Sequence, residues 1–219
     1  TLVVAKPAFD HALLEIMSKY NVPRAMLGRI SRMAHILDEV RVYSRNIWWK
    51  LFFTALGMDE PKDKELEART REYWEIVCEK MKLYPDAIET LESLRKKSIK
   101  LGIVTDTDGT PGLKYGRIKS LGIFDYFDTV VVAGEDTKHT KPDPEPFLLA
   151  ARRLSVEPKE CIMVGDKPFT DIEGALAAGM IAVYVKRAEW NYPNNAHYTI
   201  KNLKEILSII IQNYSGNGP

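Results

Sequence analysis

Residues 104–112 read Val-Thr-Asp-Thr-Asp-Gly-Thr-Pro-Gly, and Asp106 and Asp108 within them stand two positions apart at the exit of an apolar run. Such a pair can serve as a nucleophile beside its acid/base partner. The same residues also favour an ordinary turn. Other reactive side chains stand at or near the ends of apolar runs. Thr105 closes the run Ile99–Val104 with a hydroxyl able to donate to a phosphate oxygen. Lys141, ahead of Pro142, is a compact cation that can hold a phosphate and a carboxylate together. Gly165 lets the backbone turn sharply and aim Asp166, a hard oxygen ligand, at a cation such as magnesium. Asp171 lies one helical turn further on, as a second ligand, a first-turn acid or an orienting partner for Lys141. Hydroxyl, ammonium and hard carboxylates are the groups that phosphoryl transfer asks of a protein. Each also has a plainer reading, as a β-branched strand end, a surface lysine or a helix cap.

The elements that must position these groups follow from periodicity. Phe9, Ala12, Leu13, Ile16, Met17 and Tyr20 recur at helical spacing until Asn21-Val22-Pro23. Helices are predicted over 24–38 and 42–56, the second burying Ile47, Trp48, Leu51, Phe52 and Ala55 and stopping at Gly57. A longer one opens at Pro61 with Leu66, Thr70, Tyr73, Trp74, Val77 and Met81 on one face. No strand is predicted before residue 99. After Pro85 short apolar runs (Ile99–Val104, Thr129–Ala133, Cys161–Val164, Ile181–Val185) alternate with helical patterns at 86–97, 112–121, 144–155 and 170–178. That alternation predicts an α/β fold with a doubly wound parallel sheet. Ligands of such sheets bind at the carboxyl ends of the strands, where the reactive residues fall. A last helix is predicted over 202–212, and the tail Ser215–Pro219 is expected to be loose.

Composition excludes several classes. A net charge of +1 gives no electrostatic case for nucleic acid or a membrane surface. No run approaches the roughly 18 apolar residues that span a bilayer. The N-terminus lacks the zones of a secretory signal. Cys78 and Cys161 have no metal-type spacing and are read as free thiols of a cytoplasmic protein, Cys161 buried in a strand.

Taken in order, the strand-end motifs resemble those of the haloacid dehalogenase-like hydrolases, a superfamily made up largely of magnesium-dependent phosphatases. Leu83-Tyr84-Pro85-Asp86 is similar to the entry into the second motif, and Leu101-Gly102-Ile103-Val104-Thr105 to that motif itself. Leu121–Asp128 resembles the segment that follows, Lys141-Pro142-Asp143-Pro144 the third motif, and Val164-Gly165-Asp166 with Asp171 the acidic fourth. The resemblance runs from Leu83 to Val185 and implies a Rossmann-like core, residues 1–8 and 83–219, with a helical cap at 9–82. It implies catalysis by Thr105 and Lys141, substrate contacts from Thr105, Asp106 and Lys141, and Mg2+ held by Asp166 and Asp171. The substrate would be a small phosphorylated metabolite, hydrolysed through an aspartyl-phosphate. Alternatives are a metal-free dehalogenase, against which Gly165-Asp166 speaks, and a non-catalytic binding module on the same fold.

If Asp106 and Asp108 were the nucleophilic pair, the second motif would have to be Thr129–Ala133, which ends without a hydroxyl. Placing Thr105 in the second motif keeps every element in order and makes 106–110 a turn. Thr1-Leu2-Val3 resembles the end of the family's first motif, Asp-x-Asp-Gly-Thr-Leu-Val. The expectation is therefore an upstream strand carrying the nucleophile, with residues 1–219 inactive without it. Lys141→Ala is expected to leave the fold intact.

Overall fold

The computed structural model describes residues 1–20 and 22–214. Asn21, expected to help end the first helix, and the tail from Ser215 lie outside the described residues. In chain order the elements are β1 (Val3–Val4), α1 (Lys6–Ser18), α2 (Arg24–Glu39), α3 (Arg45–Ala55), α4 (Asp63–Lys80), β2 (Lys82–Leu83), α5 (Ala87–Lys96) and β3 (Gly102–Asp106). Then come α6 (Leu113–Ser120), β4 (Thr129–Ala133), α7 (Glu145–Leu154), β5 (Ile162–Gly165), α8 (Glu173–Ala177), β6 (Ile181–Val185), β7 (Tyr198–Ile200) and α9 (Ile206–Tyr214). The contacts divide the chain into two units: Thr1–Leu2, Leu83–Thr107 and Gly122 onward form one, and Val3–Lys82 with Asp108–Leu121 the other.

The second unit is helical. Its core joins Leu13, Ile16 and Met17 of α1 to Trp48, Trp49 and Phe52 of α3 and Tyr73, Trp74 and Val77 of α4, all buried. The buried face of α3 is turned from the one expected. Ile47 and Leu51 are 48% and 38% exposed, whereas Trp49 and Phe53 are buried. Two tryptophans and two phenylalanines bury more apolar surface than aliphatic neighbours on the next face, and so decide the rotation. Thr70, which sits among apolar residues of α4, accepts the Trp49 indole N–H at 3.0 Å. The stretch 108–121 belongs to this unit because Leu113 and Leu121 pack on its core and Asp108 binds within it. The two-residue strands β1 and β2 were not expected, since so short a pair leaves no pattern in sequence.

The first unit holds the parallel strands. β3 pairs with β4 from Gly102↔Thr129 to Asp106↔Ala133. β5 pairs with β6 from Ile162↔Ile181, and β6 with β7. All are parallel, β4 being wholly buried and β6 nearly so, as their Val-rich, largely apolar runs require. β3 and β5 share no ladder, so each has one edge unpaired among the described strands. β7 was not expected: Tyr-Thr-Ile is too short to show a period. The helix predicted over 170–178 begins instead as a π-helical turn, Pro168–Ile172, that leads into α8. Phe147, Ile172, Ala175, Ala182 and Tyr184 fill the space between α7, α8 and β6. Cys161 precedes β5 and is only half-buried.

Asp108 is buried, with Lys114 Nζ 2.6 Å from Oδ1 and Arg117 Nη1 2.5 Å from Oδ2. Burial alone would raise its carboxyl, but those two cations outweigh burial and hold it below the ordinary value. A depressed folded value contributes stability that is complete above the unfolded aspartate pKa, about 3.9, and is lost as pH falls through the lower folded one. Asp108→Asn leaves two cations facing a neutral amide, and we expect it to cost about 3–5 kcal/mol. Thermal unfolding at neutral pH measures this, and the gap between variant and parent should narrow below pH 4.

Candidate active site

Lys141 is the centre of the first unit's chemistry. It follows β4 through a loop, its peptide to Pro142 is cis, and it is 8% exposed. Its Nζ donates to Asp171 Oδ1 at 2.6 Å, and its backbone N–H donates to Asp106 Oδ1 at 3.0 Å. Burial alone would lower the ammonium's pKa. The charges of Asp171 and Asp106, then Asp166, outweigh burial and raise it above the ordinary lysine value, so Lys141 is a fixed cation. The sequence expectation that Lys141→Ala spares the fold needs correcting. The side chain is buried, and its removal strands a buried carboxylate, which costs about 3–5 kcal/mol.

Asp171 is held from four directions. Oδ1 also accepts the Thr170 hydroxyl at 3.3 Å, and Oδ2 accepts the backbone N–H groups of Asp166 and Lys167, each at 3.2 Å. The π-helical turn places it there, and Gly165 makes room for it. Asp171 therefore ties Lys141 to the turn after β5. Asp166, next along that turn, points its carboxylate at the N-terminal residue. The Thr1 ammonium and hydroxyl both donate to Oδ1, the hydroxyl at 2.6 Å.

Thr105 lies on β3 opposite Val132 and is half-buried. Asp106, the next residue, spends its carboxylate on the Lys141 loop, while Thr107 donates its hydroxyl to Glu135 at 2.7 Å. The opening pair of aspartates is thus divided: Asp106 positions Lys141, and Asp108 is an internal counter-ion of the helical unit. Lys141, Asp106, Asp166 and Asp171 come together at the carboxyl ends of β3, β4 and β5. His139, Asp143 and Glu145 also gather within 4.8 Å of one another, in the loop before α7 and at its first residue, where Glu145 Oε2 already receives the His139 backbone N–H at 3.1 Å.

Two supporting residues, Trp190 and Arg187, escaped sequence reasoning, and Asp86 was read only as part of the entry into the second motif. Trp190 donates its indole N–H to the Asp166 carbonyl at 2.7 Å and stacks edge-on with Phe169 at 5.4 Å. Arg187 Nη2 pairs with Asp86 at 2.7 Å and its Nε reaches the Thr1 carbonyl at 3.2 Å. Asp86 receives the Leu203 N–H at 2.9 Å as well. Their partners are distant in sequence, and no local pattern announces them.

Residues 2–179 match the family described as "Hydrolase: haloacid dehalogenase-like hydrolase". The chain is 35% identical over 166 residues to a glyceraldehyde 3-phosphate phosphatase of Methanopyrus kandleri, covering 73% of this chain and 70% of the relative. It superposes on the crystal structure of a HAD phosphatase from Thermococcus onnurineus with a TM-score of 0.67 and 32% identity, over 96% of this chain and 93% of that one. A 2-haloacid dehalogenase from Pseudomonas syringae gives a TM-score of 0.67 with 27% identity, over 97% and 94%. The chain belongs to the haloacid dehalogenase-like hydrolases and has their α/β fold. Among the described residues no helix is long and apolar enough to cross a membrane.

A Cβ on Gly165 would lie 2.2 Å from Asp171 Cβ and 2.7 Å from its Oδ2. Gly165→Ala must push Asp171 off Lys141, and we expect a loss of about 1–3 kcal/mol in thermal unfolding. Gly112→Ala meets no atom within 4 Å, so any cost there comes from its positive φ of 78° alone. Losses of equal size would mean that the Asp171 contact is not what Gly165 protects.

Proposed function

We propose that this protein is a magnesium-dependent phosphomonoester hydrolase, acting through an aspartyl-phosphate on a small phosphorylated metabolite. The observation that carries the reading is the buried Lys141 ammonium, fixed by Asp171 at 2.6 Å at the strand ends. A permanent cation there suits the spread negative charge of a transferring phosphoryl group. Thr105 would add a hydroxyl hydrogen bond to a phosphate oxygen.

The donor set fits magnesium. The Asp166 carboxylate offers a hard oxygen, the kind of ligand this ion prefers. Asp166 would hold the ion, and Asp171, engaged by Lys141 and two backbone N–H groups, would fix the turn that presents Asp166. When bound, magnesium would supply divalent charge against the phosphoryl oxygens. A metal-free dehalogenase would have no such use for Asp166.

The nucleophile is read as neither Asp106 nor Asp108, since the first binds the Lys141 backbone and the second is sealed between Lys114 and Arg117. The edges of β3 and β5 that are unpaired among the described strands would accept a further parallel strand, and this reading puts the nucleophilic aspartate on such a strand. The relatives' substrates, glyceraldehyde 3-phosphate among them, make small phosphorylated metabolites the class to try first.

The test is phosphate release from an aryl phosphate ester by the full-length protein, with and without a chelator. Turnover should require magnesium. Asp166→Asn should remove most of it, by about a hundredfold or more. Lys141→Met, checked for folding, should abolish it, while Asp106→Asn should keep a substantial part. Full activity of Asp166→Asn, or turnover that survives chelation, would sink the reading.

A further inference from the structure

The peptide that joins Asp166 to Lys167 is held at both of its polar ends. Its N–H donates to Asp171 Oδ2 at 3.2 Å, and its oxygen accepts the Trp190 indole N–H at 2.7 Å. The N–H of Asp166 itself also donates to Asp171 Oδ2, at 3.2 Å. With the peptides on both sides of the Asp166 α-carbon fixed, its two backbone torsions are set, and so is the direction of its Cα–Cβ bond. Asp171 belongs to the same turn as Asp166. Trp190 does not: it comes from the segment 186–197, which joins β6 to β7 and is mostly exposed. Trp190 meets the turn at two further points. Its ring stands edge-on to Phe169 at 5.4 Å between centres, and Lys167 Nζ lies 5.9 Å from its ring centre. Tyr192 of the same segment also meets Phe169, at 5.7 Å. The segment is moored elsewhere by the Tyr184 hydroxyl on the Ala188 carbonyl at 3.0 Å and by the Asn195 amide on Glu173 at 3.1 Å.

Magnesium demands near-ideal placement of its oxygen ligands, so a ligand to it serves best where its backbone is held still. Groups that fix ligands from behind change metal affinity about ten- to a hundredfold when they are removed. We propose that Trp190 is a positioning residue for magnesium at Asp166, acting through its hydrogen bond to the Asp166 carbonyl. The exposed segment that carries it thereby sets how tightly the ion is held. The inference rests on the reading of Asp166 as the magnesium ligand, and adds to it a residue 24 positions away. Trp190 touches neither ion nor substrate in this assignment, so it acts on affinity and leaves the chemical step alone. A phenylalanine at 190 would keep an edge-on partner for Phe169 and lose only the N–H. The peptide after Asp166 would then be held by its N–H alone and could tilt. Magnesium would have to still the turn as well as bind it, which weakens binding without changing what the bound ion does.

The experiment is a magnesium titration of the full-length protein and its Trp190→Phe variant, followed by calorimetry and by the indole Nε1–H signals of 15N-labelled protein. In the parent, the Trp190 signal, assigned by its contact with the Phe169 ring protons, should shift saturably with magnesium. Trp190→Phe should raise the magnesium dissociation constant on the order of tenfold. Turnover of an aryl phosphate ester should show the matching split. The variant should need about ten times more magnesium for half-maximal rate, while saturating magnesium restores kcat and KM for the ester stays that of the parent. A merely structural Trp190 would lower the thermal midpoint of the metal-free protein and leave the magnesium constant where it was. That result overturns the proposal, as does an indole signal that magnesium leaves unmoved, or a loss of kcat that magnesium does not restore. The indole signal needs no variant, so the test stands even if Trp190→Phe fails to fold. Asp166→Asn separates this inference from the reading on which it rests. If the parent binds no magnesium, or Asp166→Asn binds it as the parent does, both fall. If Asp166→Asn loses the ion while Trp190→Phe keeps the parent's constant, only the role of Trp190 falls.

Discussion

A buried ammonium must be met by negative charge, and the pairing of Lys141 with Asp171 is the constraint around which the strand-bearing unit is arranged. It joins the loop after β4 to the turn after β5, two elements with no ladder between them. Asp106 adds a third anchor by holding the Lys141 backbone from the end of β3. The small side of Gly165, the π-helical turn and the Trp190 indole all serve the same end, because each fixes where Asp171 and Asp166 can lie. The dense packing of donors around Asp171 makes it a poor candidate for exchange with other partners. That rigidity suits a group whose task is to keep a neighbour's charge in place.

The helical unit treats its charges differently. Asp108 is shared by Lys114 and Arg117, and Arg45 lies over the ring of Trp48. Trp48, Tyr73, Trp74 and Phe9 give the guanidinium groups polarisable surfaces, which lessens the penalty of burial without satisfying the N–H groups. One unit therefore meets its buried lysine with carboxylates, and the other sets its buried arginines against aromatic rings.

Much of this was legible in the sequence because it rests on local periodicity. The runs Thr129–Ala133 and Ile181–Val185 are strands with the expected ends, and every long helix of the first eighty residues is where its apolar spacing put it. Strand-end position also singled out Lys141, Asp166 and Asp171. The orientation of α3 was misread because Ile47 and Leu51 fit the helical period as well as Trp49 and Phe53; only packing chooses between them. The burial of Lys141 was hidden for a related reason, since a lysine before proline looks the same whether its carboxylate partner is thirty residues away or absent. Asp106 and Asp108, adjacent in a motif-like string, serve different units, and no pattern on one strand could show that.

Asp86 binds Arg187 and the backbone of Leu203, partners 101 and 117 positions away. Loop closure over such distances comes late in folding, because its entropic cost falls before any contact rewards it. During synthesis the chain must be made as far as Arg187 before this buried carboxylate finds its counter-charge, and nearly to α9 before it meets the Leu203 N–H. Until then Asp86 has only water to meet its charge, and a stalled or shortened nascent chain would leave the start of α5 without this anchor.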